Sequence, residues 1–164
     1  MKSNYRIGIG YDIHRMEENR DLIIGGVKIP YEKGLMGHSD ADVLIHAIID
    51  AMLGALSMFD IGTLFPDNAQ EFKDISSLIL LEKVYEKVLQ QGYKINNIDS
   101  NIIAQAPKMM PYIPQMKIIL SKTLKINEDL ISIKAKTNEG VDAVGNLLAI
   151  EANAVVLLIK IRDK

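Results

Sequence analysis

The 164-residue sequence has no cysteine, no tryptophan and only three histidines. Without cysteine there can be no disulfide scaffold, thiolate zinc ribbon, iron–sulfur centre or cysteine nucleophile. Long apolar runs are missing too: stretches such as residues 154–159 fall far short of the roughly 20 residues that span a bilayer. The opening MKSNYRIGIGYD lacks the apolar stretch and small-residue cleavage site of a signal peptide. Charge of one sign is also absent, since 19 basic residues face 21 acidic ones for a net −2. This gives no electrostatic case for nucleic acid or an anionic membrane as partner. What is present, 48% hydrophobic and 24% charged residues, is the composition of an ordinary folded globular protein. With no repeat, acidic tail or low-complexity linker, one domain over residues 1–164 is expected.

Residues 5–14 alternate like a strand, and residues 21–30 form a second β-rich stretch interrupted by Gly25-Gly26, which suggests a bend or bulge. From about residue 40 to 57 the pattern becomes helical, with Ser39 as cap and Asp42 completing an acidic capping box. A second helix is expected from about 74 to 91, with Leu78, Leu81, Tyr85, Val88 and Leu89 on one face and Gly92 as its stop. Residues 95–106 read as a strand and 107–114 as a rigid loop. Pro114 then opens a third helix carrying Met116, Ile119, Leu120 and Leu124. Strands at 131–137 and 150–161 close the chain, the last apolar enough to be covered on both faces. The fold class is α/β (α+β), a mixed sheet with helices on one face. Its other face also needs a cover, for which another subunit would serve.

The three histidines, His14, His38 and His46, all fall in the first third. Asp12 and His14 are two apart on a strand and so project from one face. Asp42, His46 and Asp50 recur every four residues along an otherwise apolar helix. Short polar groups there suggest a buried or cleft-lining seam in which each needs a partner. Asp12, His14 and His46 offer one oxygen and two nitrogens, the donor set of a catalytic zinc with a free fourth position. Asp42 and Asp50 then fit as acceptors fixing the imidazole tautomers. A capping aspartate and a core histidine without metal explain the same spacing equally well. Gly8 and Gly10 lack the third glycine and helix of a dinucleotide fingerprint, and fit better as points of close backbone approach. Residues 134–140, KAKTNEG, form either a phosphate and Mg²⁺ edge or merely a strand with a charged outer face.

The motifs GIGYDIH, IIGGVKIPYEKGLMGHSDADVLIHAIIDAMLGA, DIGTLFPD, IIAQAPKMMPYIPQM and KAKTNEGVDAVG occur in that order over nearly the whole chain. Together they resemble the 2-C-methyl-D-erythritol 2,4-cyclodiphosphate synthase family of the non-mevalonate isoprenoid pathway. The resemblance implies a homotrimer with sheets facing the threefold axis and active sites between subunits. It implies a phosphorus–oxygen lyase that turns 4-diphosphocytidyl-2-C-methyl-D-erythritol 2-phosphate into the cyclic diphosphate and CMP. Asp12, His14 and His46 would hold Zn²⁺, and Glu139 would hold Mg²⁺ or Mn²⁺ on the substrate diphosphate. Asp12, His14, His38 and Ser39 would meet the methylerythritol phosphate, with Asp60, Ile61 and Gly62 on its hydroxyls. The loop Phe65, Pro66, Asp67, Asn68 and Ala69 would close over that end. Ala104, Gln105, Ala106, Pro107, Lys108, Met109 and Met110 would form the cytosine pocket. Lys136, Thr137, Asn138 and Glu139 would follow the diphosphate, with Thr137 near the transferring phosphoryl and His38 and Thr137 as the catalytic groups.

The substrate's own 2-phosphate, mostly dianionic at neutral pH because its second pKa is about 6, would be the nucleophile. The protein then needs no base, only alignment and charge neutralisation. The helix beginning after Ser39 is expected to add free N–H groups at the phosphate. Residues 142–148, Asp-Ala-Val-Gly-Asn-Leu-Leu, depart from the commonest bacterial pattern and resemble the plant-plastid branch. The expected compartment is the cytoplasm of a bacterium, or a plastid or apicoplast stroma for a trimmed eukaryotic chain. Two other classes fit parts of the pattern. A zinc-dependent nucleotide phosphodiesterase would put solvent oxygen into an open product, and a non-catalytic trimeric isoprenoid-phosphate-binding module would carry a closed four-ligand metal.

Overall fold

The N-terminal alternation forms a long strand, β1 (Tyr5–Glu18), followed by the short strands β2 (Leu22–Ile24), β3 (Val27–Ile29) and β4 (Lys33–Leu35). The computed structural model describes residues 3–66 and 75–162. Gly25 and Gly26, at φ +59° and +74°, make the tight turn of the β2–β3 hairpin, so the expected bend is a hairpin turn. Helices α1 (Val43–Leu56), α2 (Ile61–Leu64) and α3 (Ser77–Gln90) follow, then β5 (Tyr93–Ile103), α4 (Ile113–Leu124) and β6 (Ile131–Lys136). The short α5 (Asp142–Gly145) leads into the closing strand β7 (Ala149–Lys160).

The main sheet has the order β4-β1-β7-β5-β6. Only β5 and β6 are parallel, and α4 provides the crossover that a parallel pair requires. The result is the expected mixed sheet with helices on one face. Buried residues Ile150, Ala152, Ala154, Val156 and Leu158 alternate along β7 and pack beneath α1. On β5, Ile95 and Ile98 are three apart, yet both are buried because a register shift between Ile95 and Asn97 resets the alternation.

α1 is buried nearly all round, as a helix wedged between a sheet and a second helix layer must be. On α3 the buried face is Leu80, Leu81, Val84, Tyr85 and Val88, whereas Leu89 is exposed. Leu89 lies about 100° round the helix from Val88, which turns it away from the core. Within this chain β7 is covered on one face only. The opposite face of the sheet carries an open apolar stripe: Tyr5, Ile7, Ile9, Tyr11 and Ile13 of β1 with Val155 of β7, Ile9 being 73% exposed.

Candidate metal centre and substrate cleft

β1 turns Gly8, Gly10, Asp12 and His14 toward α1, opposite the apolar stripe. A Cβ at Gly10 would collide with the Ala47 carbonyl and lie 2.8 Å from Ala51 N. One at Gly8 would collide with the Ala51 carbonyl. Glycine is therefore needed at both positions for closeness of approach, and that closeness brings His46 down onto the strand. Asp12 Oδ2 lies 2.9 Å from both His14 Nε2 and His46 Nδ1, and the two nitrogens are 3.2 Å apart. Of the described residues, this trio forms the group of acids and imidazoles that could hold a metal.

The edges of this triangle are close to the ~3.3 Å expected between ligands of a tetrahedral zinc with bonds of about 2.0–2.1 Å. His14 Nδ1 lies 2.7 Å from the Met36 carbonyl, which can only accept, so Nδ1 carries the proton and Nε2 offers its lone pair. Donor chemistry, spacing and tautomer thus fit zinc with one open position. With no metal in the triangle, burial alone would raise Asp12, but its hydrogen bonds and charge interactions with His14 and His46 hold it well below the usual carboxylate range. Burial would likewise lower His14, and the Asp12 hydrogen bond and charge raise it instead.

Four expectations about this helix change. Asp42, not Ser39, caps α1: its carboxylate accepts from Ile45 N–H at 3.1 Å. It also accepts from Gly25 and Gly26 N–H, at 2.9 and 2.7 Å, stapling the β2–β3 turn to the helix. Fully buried, it is pushed up to about 6 by desolvation against those N–H groups. Asp42 therefore touches neither imidazole, and its carboxylate occupies the helix end that was expected to meet phosphate. Asp50 does not touch them either, since it accepts from Ile61 N–H at 2.7 Å and so anchors α2. The partners of His46 Nε2 are instead Ser77 Oγ at 2.8 Å and Ser39 Oγ at 3.2 Å.

The trio lies in a cavity of about 220 Å³ that is also lined by His38, Ser39, Ile61, Gly62 and Phe65. Arg20 braces its rim through the Gly37 and Ser39 carbonyls. Asp60 caps α2 through Thr63 N–H at 2.9 Å and is exposed, as is Pro66. Asp67, Asn68 and Ala69 lie outside the described residues.

A second cavity of about 190 Å³ is lined by Ala104, Gln105, Pro107, Lys108, Met109 and Met110 against Ala135, Lys136 and Thr137. Ala106 precedes Pro107 through a cis peptide bond. Gly140 N–H donates to Gln105 Oε1 at 3.3 Å, tying the two segments together. Thr137 Oγ1 donates to Glu139 Oε1 at 3.0 Å, and Asn138 Nδ2 to Asp142 Oδ2 at 2.6 Å. Among the described residues none lines both cavities, so His38 and Thr137 stand in separate places on one chain.

Met36, Asp40 and Ser77 escaped the reading of the sequence. Asp40 and Ser77 lie beside helix starts, where short polar residues read as caps.

A family model described as the YgbB family matches residues 5–159. A protein of Clostridium botulinum named 2-C-methyl-D-erythritol 2,4-cyclodiphosphate synthase is 55% identical over 155 residues, covering 94% of this chain and 99% of the relative. Among solved structures, an IspF–CDP complex of Plasmodium falciparum superposes with a TM-score of 0.86 at 40% identity, covering 98% of this chain and all of that one. The bifunctional IspDF of Campylobacter jejuni superposes with a TM-score of 0.92 at 38% identity; 95% of this chain matches, but only 42% of that longer protein. With the family model spanning nearly the whole chain and the sequence and fold matches in agreement with it, the chain belongs to the YgbB family.

Proposed function

We propose that this chain converts 4-diphosphocytidyl-2-C-methyl-D-erythritol 2-phosphate to 2-C-methyl-D-erythritol 2,4-cyclodiphosphate and CMP, making it a phosphorus–oxygen lyase. The observation that carries this is the convergence of Asp12, His14 and His46 in a cleft walled by His38, Ser39, Ile61, Gly62 and Phe65. The names of the relatives support the same reading. An oxygen of the 2-phosphate attacks the β-phosphorus, the bond from that phosphorus to the bridging oxygen breaks, and CMP leaves with the electron pair.

Asp12, His14 and His46 would hold Zn²⁺. Glu139, a single exposed carboxylate, would hold Mg²⁺ or Mn²⁺ jointly with substrate phosphates, as suits a cation that keeps few protein ligands. When bound, these ions supply Lewis-acid polarisation of phosphoryl oxygens and neutralise diphosphate charge. The residues do the positioning. His38 and Ser39 hold the methylerythritol phosphate, and Asp60, Ile61 and Gly62 hold the sugar alcohol. Phe65 and Pro66 shield that end from water. Residues 104–110 seat the cytosine, while Lys136, Thr137 and Asn138 line the diphosphate. Thr137 and His38 donate to the transferring phosphoryl, where fixed donors count for most.

The working unit is a homotrimer. Two features support it: the apolar stripe on β1, and the division of the recognition residues between two cavities. No helix among the described residues is long and apolar enough to cross a membrane. The test is CMP release from the named substrate by protein of known metal content, with and without chelator. Chelation should abolish release and added zinc restore it. In ¹⁸O-water the cyclic product should remain unlabelled; label in the product diphosphate would refute cyclisation and indicate hydrolysis.

A further inference from the structure

Asp40 and Ser77 stand behind the ligand triangle, on the far side of His46. Ser77 begins α3 and is fully buried. Its Oγ lies 2.8 Å from His46 Nε2 and donates to Asp40 Oδ1. Ser77 N–H donates to Asp40 Oδ2 at 2.9 Å, and Asp42 N–H to Oδ1 at 3.3 Å. Each hydrogen bond of this carboxylate is accepted from a donor, Ser77 N–H, Ser77 Oγ or Asp42 N–H, and it sits against the positive end of the 14-residue α3, so it is placed to accept. A serine hydroxyl has one proton. Given to Asp40, that proton leaves only lone pairs facing His46. Nε2 must then donate, and the lone pair of Nδ1 is turned into the triangle. Ser39 Oγ, at 3.2 Å from the same nitrogen and accepting from Ala41 N–H at 3.2 Å, leaves this direction of donation unchanged.

We propose that Asp40 and Ser77 are a positioning pair that fixes the tautomer and ring orientation of His46 through a one-way chain of hydrogen bonds, His46 to Ser77 to Asp40. The proposal rests on reading the triangle as a zinc centre. His14 has its own single anchor, the Met36 carbonyl, and provides an internal control.

The test uses full-length chain with ¹⁵N-labelled histidine, zinc-loaded, as wild type, Ser77→Ala, Asp40→Asn and Ser76→Ala. Zinc dissociation constants come from competition with a chromophoric chelator, and the ring N–H protons are followed by NMR. Ser77→Ala and Asp40→Asn should each weaken zinc by about 10- to 100-fold. In Ser77→Ala the His46 Nε2–H should exchange rapidly with solvent, while the His14 Nδ1–H persists. Asp40→Asn is isosteric and keeps the test open if Ser77→Ala fails to fold. Its amide can donate to Ser77, which frees the hydroxyl proton to oppose His46. Ser76→Ala removes a cap from the same helix end, so it should lower thermal stability yet leave zinc affinity and both ring protons unchanged. Wild-type zinc affinity in Ser77→Ala and Asp40→Asn would overturn the role of the pair. A wild-type protein that binds no zinc would overturn the zinc centre itself, and the pair with it.

Discussion

Replacing Gly10 by alanine should damage the metal centre although Gly10 touches no ligand. The added Cβ would collide with the Ala47 carbonyl and lie 2.8 Å from both Ala47 C and Ala51 N. Ordinary contact between such atoms is about 3.5–4.0 Å, so α1 must back away from β1 by about 1 Å. The obstacle is backbone on both sides, which no rotamer change can relieve. His46 immediately precedes Ala47 on the retreating helix, and Asp12 follows two residues after Gly10 on the strand. Their 2.9 Å separation therefore opens by about the same amount, several times the ~0.2 Å tolerance of a metal–ligand distance. Overpacking of this kind costs about 1–3 kcal/mol, or roughly 3–10 °C in Tm for a chain of this size.

Gly54, in the same helix, provides the contrast. A Cβ there meets only Ile9 O at 3.7 Å, so Gly54→Ala should gain up to about 1 kcal/mol from helix propensity and leave zinc untouched. Thermal unfolding at fixed protein concentration and zinc content after dialysis would be measured for both variants. Gly10→Ala with full zinc content and wild-type Tm would refute the reasoning.

His46→Ala should lose zinc and turnover together without changing the oligomeric state read by light scattering; full activity in metal-free His46→Ala would refute its role. Glu139→Gln should weaken the Mg²⁺ dependence of turnover by about tenfold or more without lowering zinc content, and an unchanged Mg²⁺ titration counts against it. In the metal-free protein, His14 is raised by Asp12 despite burial, so the folded state holds its proton more tightly than the unfolded chain does. That stabilisation is complete below about pH 6.5 and is lost as pH rises through the raised value. The stability advantage of metal-free wild type over His14→Gln should therefore shrink between pH 6 and 9, and an advantage that grows over that range would refute the assignment.

The parts of the site legible in the sequence are those set by short-range periodicity. Two-residue spacing on a strand places Asp12 beside His14, and four-residue spacing on a helix aligns His46 with Asp42 and Asp50. The partners of those groups depend on contacts between distant elements. Asp42 looked like a neighbour of His46 but is claimed by Gly25 and Gly26, 17 and 16 residues earlier. Ser77 reaches His46 across 31 residues, and nothing in its local sequence distinguishes it from a cap. In the fold, alternation and periodicity located β1, β5, β6, β7, α1, α3 and α4 to within a few residues, while the short β4, α2 and α5 were not read. On β1 the usual alternation is inverted: the small and polar Gly8, Gly10, Asp12 and His14 face α1, while Ile7, Ile9 and Ile13 point away from the chain's own core, on the sheet face expected to need a cover.

The two sides of β1 also constrain how this strand can vary. Its eleven paired positions with β7 keep Gly8, Gly10, Asp12 and His14 on one side and Ile7, Ile9, Tyr11 and Ile13 on the other. Exchanging one outward residue for another of similar shape leaves the inward set in place. Losing or gaining a single residue before Asp12, with the pairing kept, would swap the sides, sending isoleucines against α1 and the carboxylate and imidazole outward. The strand can therefore drift in composition but not in length, and its ends are where insertions can be absorbed.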